Sequence, residues 1–227
     1  MTSFFCILVN NNSLDMSEEA WKKANVDESA YWEIFTCEVE TLKHQDIYMR
    51  ALGITQDYYY EPDRSLNMSG LNVLDVGGGP ASILLRTNNN LPNRPHDGLN
   101  KGVVIDPVMI TDHQKMRYDF HDIEFIEDQA ENIDKYYSDK GFFDECFIYN
   151  CLQHVVDPLK ILDKITAVSK RIRIAEPLNV PTDHMHLHMF TENYFDEYFS
   201  QDRFTCHDKT ITAIGSCNHY VGLFHID

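Results

Sequence analysis

One string holds much of the chemistry this chain can offer: Val73-Leu74-Asp75-Val76-Gly77-Gly78-Gly79-Pro80-Ala81-Ser82. An apolar strand runs into a glycine turn, and Pro80 suits the first turn of a following helix. Glycines let a bound cofactor pass close to the backbone, where a Cβ would collide with it. In dinucleotide enzymes such a turn cradles a pyrophosphate, and a carboxylate just before it would face two negative charges. Asp75 therefore favours a cationic ligand without phosphate. Asp75, Gly77, Gly78 and Gly79 are the first expected cofactor residues.

Further reactive groups recur after later apolar runs. Asp106-Pro107 closes a run at 103–106, and Asn150-Cys151 follows another at 145–149. Open α/β sheets bind ligands at the carboxyl ends of their strands, so both pairs belong near a site. His154 lies just beyond, and His184, His186 and His188 alternate, sharing one face if extended. Three imidazoles on one face suit a metal, yet no cysteine or carboxylate completes a ligand set. A loop lining a substrate pocket is the preferred reading, and no metal is expected. Cys206-His207 and Cys217-x-His219 lack the C-x-x-C spacing of zinc sites.

Asp75-x-Gly77-x-Gly79 resembles the first motif of class I S-adenosylmethionine-dependent methyltransferases, with Ala81 where that family has a third glycine. The similarity covers about residues 70 to 226. It implies S-adenosylmethionine as cofactor, whose sulfonium and α-amino group match the demand set by Asp75. Asp106 matches the family's ribose-binding acid, with Pro107 beside it. The segment Asp128-Gln129-Ala130-Glu131 is similar to the family's Gly-Asp-Ala-Glu. Either Asp128 or Gln129 then contacts the adenine amino group, since both can accept that hydrogen bond. Leu152-Gln153-His154 with Asp157-Pro158 looks like the small-molecule branch, and no Asn/Asp-Pro-Pro-Tyr signature of nucleic-acid amino methyltransferases occurs. That branch implies O- or N-methylation by in-line displacement, with a base if the acceptor is a hydroxyl. His154 is the first candidate, with His184 and His186 beside it. Trp32, next to Tyr31 on an expected amino-terminal helix, either covers the cofactor as an aromatic lid or packs as core.

The elements that must position these groups alternate. Strands are expected at 71–76, 103–106, 123–126, 145–149 and 171–175, with helices at 81–86, 109–118, 131–137 and 158–168. This rhythm implies a mostly parallel sheet covered on both faces, a Rossmann-like three-layer α/β/α architecture. Runs at 204–214 and 220–226, joined by 215–218, read as an antiparallel hairpin at the carboxyl terminus. Residues 17–52 read as helical with a stop at Gly53, because Trp32, Phe35, Val39 and Leu42 recur at helical spacing. Residues 1–69 thus form a helical cap and 70–227 the cofactor-binding domain.

Bulk composition narrows the partners. The 227 residues carry 19 basic and 36 acidic side chains, a formal charge of −17. A polyanion meets net repulsion, and the basic groupings at Lys22–Lys23 and Lys170–Arg173 are short. Nucleic acid is disfavoured, and a small-molecule methyl acceptor is expected. No stretch is long and apolar enough for a membrane span. Six scattered cysteines suggest reduced thiols in the cytoplasm, and the chain is expected as a monomer or homodimer. Two rivals share the sheet: a catalytically silent binding or scaffold protein, and a nicotinamide-dependent reductase. Asp75 and the missing G-x-G-x-x-G spacing speak against the reductase.

Overall fold

A computed structural model describes residues 21–23, 26, 38–58, 66–87 and 98–227. Trp32, Tyr31 and most of the helical stretch expected at 17–37 lie outside the described residues, as does the loop at 88–97.

Seven strands form one sheet: β1 (Asn72–Val76), β2 (Lys101–Ile105), β3 (Ile123–Ile126), β4 (Glu145–Tyr149), β5 (Arg171–Pro177), β6 (Phe204–Ile214) and β7 (Cys217–Ile226). Their order is β3-β2-β1-β4-β5-β7-β6. The first five pair in parallel, while β7 runs antiparallel to both β5 and β6. Strands β1, β2 and β4 are buried on both faces along nearly their whole length, as a covered parallel sheet requires.

Four helices of two turns or more are described: α1 (Glu38–Ala51), α2 (Asp112–Phe120), α3 (Pro158–Val168) and α4 (Glu192–Phe199). One face of the sheet buries Tyr48, Met49 and Leu52 near the end of α1 together with Ile83, Leu84 and Tyr118. The other face buries Ile133 with Ile161, Leu162 and Ile165 of α3 and Phe195 and Phe199 of α4. This is the expected three-layer arrangement. Local chemistry fixes the helix starts. Thr111 and Gln114 form a reciprocal capping box on α2, and Asp157 caps α3 through Lys160 N–H with Pro158 at its first position.

Several boundaries differ from expectation, each for a local reason. The helix expected at 81–86 is two 3-10 turns, Gly79–Ala81 and Ile83–Arg86. Ser82 interrupts them, accepting Leu84 N–H while donating to Asp75 Oδ2 at 2.5 Å. The stretch at 131–137 is likewise 3-10, over Ala130–Lys135. Helix α4 was not expected, because its Tyr-Phe pairs hide the polar face of a short helix. The hairpin is tighter than read: Ile214 pairs with Cys217, and left-handed Gly215 (φ 61°) makes the turn. At Gly53 the expected stop holds, with φ 68° after α1.

A buried ion network anchors the amino-terminal segment beneath the sheet. Arg173 bonds Glu145 (3.0 Å), Asp57 and the Leu52 carbonyl (2.8 Å), and Glu145 also binds Arg171 and Tyr58 Oη (2.7 Å). Glu145 is fully buried, so only this set of partners makes its charge tolerable.

Candidate active site

Strand order reverses between β1 and β4, and a cavity opens at the carboxyl ends of these strands. It encloses about 740 Å³, its open mouth included. Two turns meet in its floor. Gly77 (φ 70°) packs so closely on Cys151 that a Cβ there would press on the thiol, 3.1 Å from Sγ. A Cβ on Gly78 would stand 2.5 Å from Asp75 Oδ2. These glycines are therefore required by the protein's own packing as well as by any ligand. Asn150 closes the β4 side in the left-handed region (φ 50°), a strained conformation of the kind found at functional sites.

Gly77, Gly78, Asp106, Pro107, Gln129, Ala130, Asn150, Cys151 and His154 all line the cavity. Asp75, Gly79, Asp128, His184 and His186 do not line it. Asp75 is fully buried behind Gly78; desolvation raises its carboxyl to about 7 despite the Ser82 hydrogen bond. Asp128 is turned to its own segment, accepting from Gln129 N–H, Asn132 Nδ2 and Tyr136 Oη. Of the two adenine candidates, Gln129 is thus the one in the wall. Asp106 ties the two loops together, accepting Gly79 N–H at 2.9 Å and Val108 N–H at 2.8 Å.

Sequence reasoning passed over Trp21, Glu131 and Tyr149, which also line the cavity. Trp21 lay in the expected helix, but Trp32 was favoured by its spacing. Tyr149 was hidden as the last apolar residue of β4. Its hydroxyl is buried without a hydrogen-bond partner, and burial drives its pKa well up. Glu131 is raised by desolvation. The described wall holds two carboxylates, Asp106 and Glu131, and no lysine or arginine.

The histidines separate by their partners. His154 Nδ1 lies 3.0 Å from the Met185 carbonyl, so that nitrogen carries the proton. Its Nε2 is 3.3 Å from the amide nitrogen of Gln153, which donates to it. His188 donates from Nε2 to the Val155 carbonyl at 2.7 Å. His186 Nδ1 faces both oxygens of Asp183 at 3.0 Å, and its ring packs on His154 with centroids 5.0 Å apart. Desolvation raises Asp183, but the His186 backbone and ring and Met185 N–H together outweigh it and pull the carboxyl down to about 2. His184 is exposed. Among the described residues no group of three or more His, Cys, Asp or Glu is placed to hold a metal.

No protein-family model matches the sequence, and no curated protein is similar to it. Solved structures are similar in fold. Magnesium protoporphyrin IX methyltransferase from Synechocystis, with bound S-adenosylmethionine, superposes with a TM-score of 0.61 at 12% identity over 96% of this chain and all of that one. The 1,6-didemethyltoxoflavin-N1-methyltransferase of Burkholderia thailandensis, with S-adenosylhomocysteine, gives 0.57 at 16% over 92% of this chain and 88% of that one. The N-methyltransferase NodS of Bradyrhizobium japonicum, also with S-adenosylhomocysteine, gives 0.55 at 11% over 92% and 97%. The chain has the class I S-adenosylmethionine-dependent methyltransferase fold. A 4+2 cyclase also superposes, at 0.52 and 13% identity over 70% of this chain and 76% of that one, so the fold leaves the reaction to be argued from the site.

Proposed function

We propose that this protein is a methyltransferase that binds S-adenosylmethionine and methylates a small molecule. The observation that supports it most is the cavity wall at the strand-order reversal: a glycine turn, Asp106 and Gln129 on one side, Asn150 and Cys151 on the other, with acids and no cation. Such a wall repels a pyrophosphate and suits a ligand that brings its own positive charge and hydroxyl donors. Asp106 has acceptor capacity for ribose hydroxyls, Gln129 can accept from an adenine amino group, and Trp21 offers an aromatic face favourable to a sulfonium. The bound cofactor supplies an activated methyl group. The protein's part is to bind, align the acceptor in line and exclude water.

An acidic wall within a chain of net charge −17 argues for a neutral or cationic acceptor and against nucleic acid. No described helix is long and apolar enough to cross a membrane. The four described cysteines are free thiols, in keeping with a reducing, cytoplasmic setting. Calorimetry in the presence of a chelator tests the reading. S-adenosylmethionine and S-adenosylhomocysteine should both bind, and NADH and NADPH should not. No heat at cofactor concentrations well above micromolar would overturn it. Binding without turnover on any acceptor would favour the silent scaffold.

A further inference from the structure

We propose that the Tyr149 hydroxyl holds the carboxylate of the bound cofactor, as the buried donor in a described wall that has no lysine or arginine. This rests on the methyltransferase reading and assigns a positioning residue to the same site.

Strand order sets where each part of an extended ligand lies. Gln129 follows β3 and Asp106 follows β2, so the adenine and ribose they suit occupy that half of the cavity. Next in the sheet come β1, which carries the glycine turn, and then β4. The amino-acid tail of S-adenosylmethionine therefore reaches toward β4, whose last residue is Tyr149. Acids of the wall can meet the ammonium of that tail. Its carboxylate accepts hydrogen bonds only, so it needs a donor.

Main-chain donors around Tyr149 are already spent. Gly77 N–H bonds the Ile105 carbonyl at 3.0 Å, and Asn150 N–H bonds the Ala175 carbonyl at 2.9 Å. The N–H groups of Cys151 and Leu152 both go to Glu176 Oε1, at 2.9 and 3.2 Å. Among nearby side chains, His154 Nδ1–H is held by the Met185 carbonyl, and half-exposed Asn150 can turn its amide to water. Tyr149 differs from both. It lines the cavity at 4% exposure, and its hydroxyl is buried without a hydrogen-bond partner. Leaving a buried hydroxyl unpaired is costly, so an orphan on a cavity wall marks a group kept for a ligand. Burial first, and then the neighbouring Asp75, push the phenol pKa well up, so it donates at any working pH. The ring packs against Tyr48 with centroids 4.7 Å apart, which limits where the hydroxyl can turn.

Calorimetry with two ligands tests the assignment on the whole chain. S-adenosylhomocysteine carries the carboxylate, whereas its decarboxylated analogue keeps the adenosine, thioether and amine. Tyr149→Phe retains the ring and its contact with Tyr48 and removes the hydroxyl alone. We expect the variant to bind S-adenosylhomocysteine ~10-fold more weakly, as loss of a hydrogen bond to a charged group implies. Its affinity for the decarboxylated analogue should not change. Without ligand it should melt no lower than wild type, since the lost hydroxyl had no partner in the protein. Equal weakening of both ligands, or no weakening of either, overturns the assignment. So does a lower melting temperature of the ligand-free variant, which would mean that water or the protein itself satisfies the hydroxyl. Wild-type protein that binds neither ligand overturns the methyltransferase reading and this assignment with it. Tight wild-type binding beside an indifferent variant removes the assignment alone.

Discussion

Asp106 is the side chain on which cofactor affinity should depend most. Its carboxylate holds Gly79 N–H and Val108 N–H, and the residue lines the cavity. Charged hydrogen bonds of this kind contribute ~1.5–3 kcal/mol each. Asp106→Ala should therefore weaken S-adenosylhomocysteine binding by ~10–100-fold in calorimetry, with some loss of thermal stability from the two backbone donors it strands. A folded variant with unchanged affinity would show that no ligand hydroxyl reaches Asp106. Side chains of this sort are legible in a sequence because they follow apolar strands at fixed places, as Asp106, Asn150 and Cys151 do. Asp75 shows the limit. Its position in the string was clear, but only packing shows that Gly78 stands between it and the cavity. Asp183 was missed because an Asx turn that also orients an imidazole has no period, only a three-residue offset that many surface loops share.

Elements were legible where pattern and capping agreed. Strand β4 and helix α3 fell on their expected bounds, since an apolar run and an Asp-Pro start each speak plainly. The two 3-10 turns at 79–86 read as one continuous helix because a sequence cannot show that Ser82 turns back to bond Asp75. The carboxyl-terminal hairpin hides a sharper constraint. Gly222 pairs with Ile174 of β5, and a Cβ there would stand 2.8 Å from Phe224 Cζ, closer still to its Cε2. The Phe224 ring cannot yield, because it stacks on Phe199 with centroids 3.8 Å apart, and both are buried. Overpacking a filled core costs about 1–3 kcal/mol. Gly222→Ala should lower the urea midpoint by a matching amount, with the sheet's circular dichroism retained. An unchanged midpoint would mean that α4 shifts freely, and that the Phe199–Phe224 stack is not a fixed part of the core.

At the scale of the whole molecule, two buried acids set how stability answers to pH. Desolvation raises Asp75 from 3.8 to about 7 and Glu176 from 4.5 to about 7, and both are fully buried. In Glu176 the N–H groups of Cys151 and Leu152 offset part of that cost. Folded chains keep both protons until about pH 7, whereas unfolded chains lose them at their ordinary values. Between those values unfolding releases protons, so these groups make stability fall as pH rises, and above about 7 their effect is flat. Repulsion within a chain of charge −17 acts in the same direction, since it eases as carboxylates take up protons. Asp183 works the other way: held at about 2, it stabilises the fold above its unfolded value of 3.8 and is lost as pH drops below that. The resulting optimum lies on the mildly acidic side of neutrality. Urea midpoints should therefore be higher near pH 5 than near pH 7.5, each unit of pKa displacement corresponding to about 1.4 kcal/mol at most. Asp75→Asn with Glu176→Gln keeps an oxygen for Ser82 and for the two backbone donors, so the double variant should flatten that slope. A wild-type midpoint that stays level or rises toward pH 7.5 would mean that these carboxylates ionise at ordinary values, with water or a cation reaching them beneath the glycine turn.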